Sequence, residues 1–202
     1  MKSVLISIRP KWTEKIANGE KTIEVRKSAP KEVPFKAYIY ESRNGGHRCK
    51  HCNEKDSCYS YAPKNVGCYN GSGKVIGEFI CDRIEMVNAK CSNYGIDLFY
   101  HDCLTNGCLT EREIEKYFNV PEDRDLRAMK GNGYVWNISD LKIYDKPKEL
   151  SEFRKPCPYG DLPCWICPSC DKDENDNLIQ CFNTVSRPPQ SWQYIEDLGE
   201  KE

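Results

Sequence analysis

The sequence predicts an α+β fold: a small mixed β-barrel with two or more helices in its connections and Cys-rich inserts. Three observations lead to this prediction. Short segments of alternating polarity recur along the chain, two other segments have helical spacing, and two cysteine-rich stretches have neither period. A chain of 202 residues, 39% of them hydrophobic and 30% charged, is long enough to bury a core without disulfides.

The first part of the chain predicts three strands and one helix. Residues 2–9 alternate in polarity, as expected of a strand with one buried face. Pro10 suits the first position of a helix, and Gly19 suits the left-handed residue that ends one. Residues 22–26 and 37–41 predict the second and third strands.

The remainder predicts further strands and a second helix. Residues 74–87 indicate one long strand with a bulge at Gly77. Thr110 and Glu113 have the spacing of a capping box, which starts a helix. Residues 133–144 predict a strand pair or a bent strand, and residues 178–182 and 191–195 are expected to return to the sheet.

These elements suggest three units along the chain. Residues 1–150 form the barrel, with a Cys-rich insertion at about 42–72, residues 151–186 are an acidic Cys-rich extension, and residues 187–202 close the barrel. No apolar run approaches the ~20 residues of a membrane span, and the first residues lack a signal-peptide core. We therefore expect a soluble, cytoplasmic protein without membrane partners.

The charge is unevenly distributed along a chain whose net charge is -1. Residues 1–73 carry 14 Lys and Arg against 7 Asp and Glu, whereas the rest of the chain carries 16 against 24. The basic portion either faces phosphates or neutralises the acidic portion within the fold. Charge alone does not separate these alternatives.

Two stretches near the start resemble a known family. Residues 6–10 read ISIRP, and residues 19–26 read GEKTIEVR, which looks like the ASCH-domain signature G-x-K-x-x-E-x-R. Further segments at 37–41, 73–81, 134–143, 146–150 and 187–192 are similar to bacterial members. The resemblance implies a PUA-like barrel that binds RNA or a modified nucleotide, with DNA as another ligand, in a cleft of the barrel.

The signature residues have side chains suited to nucleic acid. Alternation along a strand places Thr22, Glu24 and Arg26 on one face, with Lys21 at its start. Lysine and arginine bind phosphates or base edges, and a carboxylate accepts from an exocyclic amine. The nucleic-acid-binding residues are expected to be Ser7, Arg9, Lys21, Glu24 and Arg26. Aromatic candidates for stacking on a base are Tyr38, Tyr40, Tyr134, Trp136 and Trp192. The competing interpretation is a surface salt-bridge cluster.

Two other functions remain open. A few small ASCH proteins are similar to amidohydrolases that remove an acyl group from N4-acetylcytidine, and in such an enzyme Lys21 and Glu24 would be catalytic. Glu24 stands where those hydrolases have threonine, so the expected hydroxyl is missing. A zinc-stabilised regulatory module that binds other proteins is the third alternative.

Cysteine spacing predicts one or two zinc ions. Thirteen cysteines in a chain without a secretion signal favour thiolate ligands or reduced thiols over disulfides. The C-x2-C pairs place two thiolates at one tetrahedral ion. The expected ligands of the first cluster are Cys49, Cys52, Cys58 and Cys68, with His47 or His51 as a substitute. Those of the second are Cys164, Cys167, Cys170 and either Cys157 or Cys181.

Overall fold

The structure is a computed structural model. It describes residues 1–43, 71–88, 96–120, 131–157, 159, 168, 170–175, 178–181 and 183–197. Three helices occur in these ranges: α1 (Pro10–Ala17), α2 (Ile96–Leu104) and α3 (Glu111–Phe118). The ten strands are β1 (Lys2–Ile8), β2 (Ile23–Arg26), β3 (Phe35–Glu41), β4 (Val75–Cys81), β5 (Ile84–Asn88), β6 (Asn132–Asn137), β7 (Ser139–Lys148), β8 (Cys170–Lys172), β9 (Leu178–Cys181) and β10 (Trp192–Ile195).

Two sheets form the centre of the fold. The larger has the order β10-β1-β3-β4-β7, with β1 parallel to β3 and the other pairs antiparallel. The smaller has the order β2-β6-β5 and is antiparallel throughout. The α+β class is therefore confirmed. The hydrogen bonds between the described strands form two separate central sheets and do not close into one ring. Strands β8 and β9 pair only with each other.

The interior consists of three apolar clusters that follow from strand alternation. One lies between the smaller sheet and helices α2 and α3, and includes Ile23, Val25, Phe99 and Phe118. A second contains side chains of both sheets, among them Trp136 of β6. The third lies on the other face of the larger sheet, where Phe153 and Val185 cover it. The smaller sheet is thus covered on both faces.

Most predicted elements are present, but two of the strand predictions were wrong. Residues 74–87 form two strands in different sheets, because Asp82 and Arg83 separate β4, which pairs with β3 and β7, from β5, which pairs with β6. The irregularity at Gly77 is present in the β4–β7 register, where a Cβ would lie 2.5 Å from the Lys142 carbonyl oxygen. Residues 178–181 pair with β8 instead of returning to the main sheet.

The helices begin and end where their sequence signals indicate. Pro10 occupies the first turn of α1, and Gly19 follows that helix at a φ of 74°. The capping box of α3 is present, with Thr110 and Glu113 bonded reciprocally. Helix α2 was not predicted. No helix of the described ranges is long and apolar enough to cross a membrane.

Glu113 joins helix α3 to helix α1. Its carboxylate accepts hydrogen bonds from the Thr110 N–H and hydroxyl at 2.9 Å each, and from Lys11 Nζ at 2.7 Å. Burial acts to raise the pKa of Glu113, but the hydrogen bonds from Lys11 and Thr110 outweigh it and hold the pKa below its usual value. The two helices are therefore linked by an ionised carboxylate at neutral pH.

We predict that Glu113→Gln removes a contribution to stability that depends on pH. Because the folded-state pKa is lowered, the wild-type advantage is complete above the ordinary pKa of 4.5 and disappears as the pH falls through the folded-state value. Urea unfolding at pH values on both sides of 4.5 measures it. Glu14→Gln, on the exposed side of α1, is the control. Equal pH dependence of wild type and Glu113→Gln would contradict the prediction.

Candidate nucleic-acid site

Strand β2 carries apolar and charged side chains to opposite faces. Ile23 and Val25 pack in the cluster beneath α2 and α3, and Glu24 and Arg26 therefore face the larger sheet. The register with β6 places Glu24 opposite Trp136 and Arg26 opposite Tyr134. All four β2 residues are buried, so the charged face of this strand lies inside the fold.

Lys21, Glu24 and Arg26 form a buried ion triad. Lys21 Nζ lies 3.3 Å from Glu24 Oε2, and Arg26 Nε lies 2.9 Å from Glu24 Oε1. The exposed fractions of the three side chains are 2%, 9% and 10% in the same order. The prediction that these residues meet is thus correct in geometry. The alternative of a surface salt-bridge cluster is wrong, since exposed pairs keep most of their solvent contact.

The outer ends of both cations bind other parts of the chain. Lys21 Nζ donates to the Gly107 carbonyl at 2.9 Å. Arg26 Nη2 donates to the Ser7 carbonyl at 2.7 Å, and Nη1 contacts Ser191 Oγ at 3.4 Å. The Arg26 Nε–H makes an ion-pair contact with Glu24 but no aligned hydrogen bond to any described residue. The triad therefore connects β2 with β1, with the α2–α3 connection and with the segment before β10.

Several aromatic residues lie near the triad. The Trp12 ring centroid lies 5.5 Å from Lys21 Nζ, and the Trp192 ring packs edge-to-face on Trp136. Tyr117 of α3 is 36% exposed. Burial raises the pKa of Tyr117, the positive charge of Arg26 opposes this rise, and the negative charge of Glu24 adds to it. We call Trp12, Tyr117 and Trp192 the aromatic rim.

Two lysines lie against this rim. Lys11 Nζ is 4.3 Å from the Trp12 ring centroid, and Lys27 Nζ is 5.0 Å from the Tyr117 ring centroid. Lys27 is exposed, whereas Lys11 is partly exposed and also pairs with Glu113 at 2.7 Å. Cations beside aromatic rings are the combination that single-stranded nucleic acid contacts through its phosphates and bases.

The other predicted binding residues are placed differently. Ser7 reaches the triad through its backbone carbonyl, while its hydroxyl donates to the Pro189 carbonyl at 2.6 Å. Arg9 is exposed beside α1, and no described contact joins its side chain to the triad. β1 is not the hydrogen-bonded neighbour of β2, since it pairs with β3 and β10.

The predicted aromatic candidates divide into core and half-buried residues. Tyr38, Tyr40 and Trp136 are buried, which fits a packing role. Tyr134 and Trp192 keep part of their surface exposed. Sequence reasoning missed Tyr117, Lys11 and Lys27 as site residues, because the elements that carry them meet β2 only in the folded chain.

The predicted zinc ligands fall mostly outside the described ranges. Only Cys157, Cys170 and the backbone of Cys181 are described; the other predicted ligands lie outside, namely Cys49, Cys52, Cys58, Cys68, Cys164, Cys167, His47 and His51. Within the part of the chain that the structure describes, no three potential ligands come together. The zinc prediction stays a prediction.

Two cysteines outside the predicted clusters are structural. Cys81 and Cys103 are completely buried. Burial raises the pKa of each thiol to about 12, so neither is a thiolate at neutral pH. Both act as small apolar residues of the core.

Comparison with solved structures identifies the fold. The chain is similar to the crystal structure of ASCH from Zymomonas mobilis, with 16% identity, a TM-score of 0.51, and coverage of 96% of this chain and 88% of that one. Two point mutants of the same protein give TM-scores of 0.50 and 0.52 at 15% and 14% identity, each covering 98% of this chain and 93% and 90% of theirs. The chain therefore has the fold of an ASCH domain, as the signature suggested.

Comparison of sequences adds nothing to this likeness. No protein-family model matches the chain, and no curated protein matches it. The assignment of the fold consequently depends on the structural likeness.

We predict that Glu24→Gln destabilises the protein strongly. The substitution leaves Lys21 and Arg26 as buried cations without a counter-charge, which is expected to lower the free energy of unfolding by about 3 kcal/mol. Urea denaturation followed by circular dichroism measures the change. Glu85→Gln, whose contact with Arg83 spans 3.7 Å at the surface, is the control and should have little effect. A Glu24→Gln variant as stable as wild type would show that the carboxylate does not hold the triad.

Proposed function

We propose that this protein binds single-stranded RNA or a modified nucleotide between the ion triad and the aromatic rim. The ASCH fold, the charge of the triad and the rim all support this proposal. The observation that carries it is the Glu24–Arg26 pair, which keeps about a tenth of each side chain exposed close to partly exposed aromatic rings. A base edge can contact that exposed part while its ring packs on an aromatic side chain.

The triad and the lysines have separate roles in this proposal. Glu24 and Arg26, still about a tenth exposed, contact the base edge, with Glu24 accepting from an exocyclic amine. Lys21 is 2% exposed and lies behind Glu24, so it positions the carboxylate instead of touching the ligand. Phosphate contacts come from Lys11 and Lys27, which are at the surface beside the rim.

The contacts favour binding over amide hydrolysis. Both Glu24 oxygens are paired with cations, and Lys21 Nζ donates to the Gly107 carbonyl. A nucleophilic amine or a general base needs the opposite arrangement, with a free lone pair facing the substrate. Lys21 Nζ is engaged by Glu24 and by the Gly107 carbonyl, so among the described contacts it lacks the free lone pair of a nucleophilic amine.

We predict that Lys11→Ala with Lys27→Ala weakens RNA binding by about tenfold at low salt. The slope of log affinity against log salt concentration should become shallower by the amount expected for about two lost phosphate contacts. Fluorescence anisotropy with labelled single-stranded RNA, single-stranded DNA and modified nucleosides measures affinity across a salt series. Lys142→Ala with Lys146→Ala is the matched control, because these exposed lysines lie on β7 at the opposite edge of the larger sheet from β10.

Three results would contradict the proposal. Absence of binding to every RNA, DNA and nucleoside tested is the first. Equal weakening by the β7 control is the second, because it would show unspecific attraction to positive charge. Unchanged affinity of the Lys11 and Lys27 variant is the third.

We also propose that zinc organises the Cys-rich segments. The β8–β9 register places Cys170 and Cys181 directly opposite each other, which favours Cys181 over Cys157 as the fourth ligand beside Cys164 and Cys167. Metal binding would supply folding free energy to segments with few apolar residues.

We predict that the purified chain contains about one or two zinc ions and that Cys170→Ser loses one of them, since a site with three thiolates binds zinc less tightly. Elemental analysis of the full chain without added metal measures the content. Cys108→Ser, outside both clusters, is the control. A zinc-free protein, or equal content in Cys170→Ser and wild type, would refute the proposal.

A further inference from the structure

A cavity is lined in part by Trp192 and contains none of the triad residues in its lining. Its volume is about 570 Å³, which falls within the range of pockets that hold small ligands. Four segments line it: the start of the chain with β1, the connection after β2, Pro156, and β10 with Asp197 after it. Neither Glu24 nor Arg26 belongs to its lining. It shares Trp192 with the aromatic rim but contains no residue of the triad.

Two aromatic rings form a corner of this cavity. Trp192 and Tyr194 are on the same face of β10, with ring centroids 5.3 Å apart and planes at 89°. Trp192 is held from behind by Trp136, and its Nε1–H donates to Ser28 Oγ at 3.1 Å. The indole is thus fixed before any ligand arrives. A perpendicular pair of rings offers a planar ligand one face for stacking and one edge for contact.

Two lysines give the cavity a positive entrance. Lys31 is exposed and makes no ion pair with any described residue. Lys2 pairs with Glu32 at 2.8 Å, but both side chains are more than half exposed, so this pair exchanges readily for another anion. The lining carboxylate, Asp197, is already bound by Lys36 at 3.2 Å and by the Tyr38 hydroxyl at 2.6 Å. The charge available to a ligand is therefore positive.

We propose that this cavity binds a nucleotide, with the base against Trp192 and Tyr194 and the phosphate between Lys2 and Lys31. A planar ring carrying an anionic group is the chemistry that matches an aromatic corner beside two cations. The ligand is either a free mononucleotide or one residue of a single-stranded chain. The inference shares the ligand class and Trp192 with the proposed function, but none of its residues belongs to the triad.

The experiment titrates the full-length protein with nucleoside 5′-monophosphates and with short single-stranded oligonucleotides, at low and at higher salt. Calorimetry measures the affinity of both. Tyr194→Leu should weaken binding about tenfold through loss of stacking. Lys2→Ala with Lys31→Ala should weaken it at low salt, and less at high salt where phosphate contacts are screened. Circular dichroism shows whether each variant is folded.

Glu32→Gln is expected to strengthen nucleotide binding, whereas the cavity variants weaken it. It frees Lys2 from its partner without touching the cavity, so affinity should increase several-fold at low salt. The substitution is at the surface, where loss of folding is not expected. Lys142→Ala on β7 is the control and should leave affinity unchanged.

The outcomes separate the two ligand sources and the two sites. Binding of mononucleotides that the cavity variants weaken supports a pocket for a free nucleotide. Binding of oligonucleotides alone, weakened by the same variants, supports a subsite for one residue of a strand. The inference is overturned if nothing binds or if the cavity variants leave affinity unchanged. The cavity variants could leave affinity unchanged while Lys11→Ala with Lys27→Ala still weakens RNA binding. That result would overturn the cavity assignment alone and leave the proposed function standing.

Discussion

The carboxylate of Glu24 is the interaction on which the interior between the two sheets depends. It is the only acidic member of the triad, and each of its oxygens faces a different buried cation. Removing two cations and a carboxylate from water is expensive, and mutual attraction offsets this only when each charge also has hydrogen-bond partners. The Gly107 and Ser7 carbonyls provide those partners. The contacts that stabilise the buried cations therefore also hold distant segments of the chain together.

The triad explains why the neighbouring residues are arranged as they are. A strand with both faces buried usually carries apolar residues throughout, whereas β2 buries two charged residues among two apolar ones. Trp136 lies opposite Glu24 and belongs to a series of edge-to-face rings that continues through Trp192 to Tyr194. Trp136 thus sets rigid apolar surface beside the charges, which lowers the local dielectric and strengthens each ion pair.

The sequence predicted the parts of this arrangement that depend on local spacing. Alternation placed Glu24 and Arg26 on one face, and the proline, glycine and capping-box signals gave the ends of α1 and α3. It did not predict that the triad is buried, because burial comes from Gly107 and Ser191, far away in the chain. The break at Asp82 and Arg83 was missed because the polarity pattern continues across it, while strand pairing changes there. Helix α2 was missed although Phe99 and Cys103, four residues apart, share its buried face.

The position of β10 has a consequence for how the protein is made. β10 pairs with β1, so the first strand of the sheet acquires one of its two neighbours from residues synthesised nearly two hundred positions later. Ser191 and Pro189, which contact Arg26 and Ser7, are delivered by the same late segment. Contacts between such distant residues form slowly because a long loop must close first. On the ribosome, β1 therefore has an open edge until β10 has been synthesised, and a chain that stalled before residue 191 would lack the contact between Ser191 and Arg26.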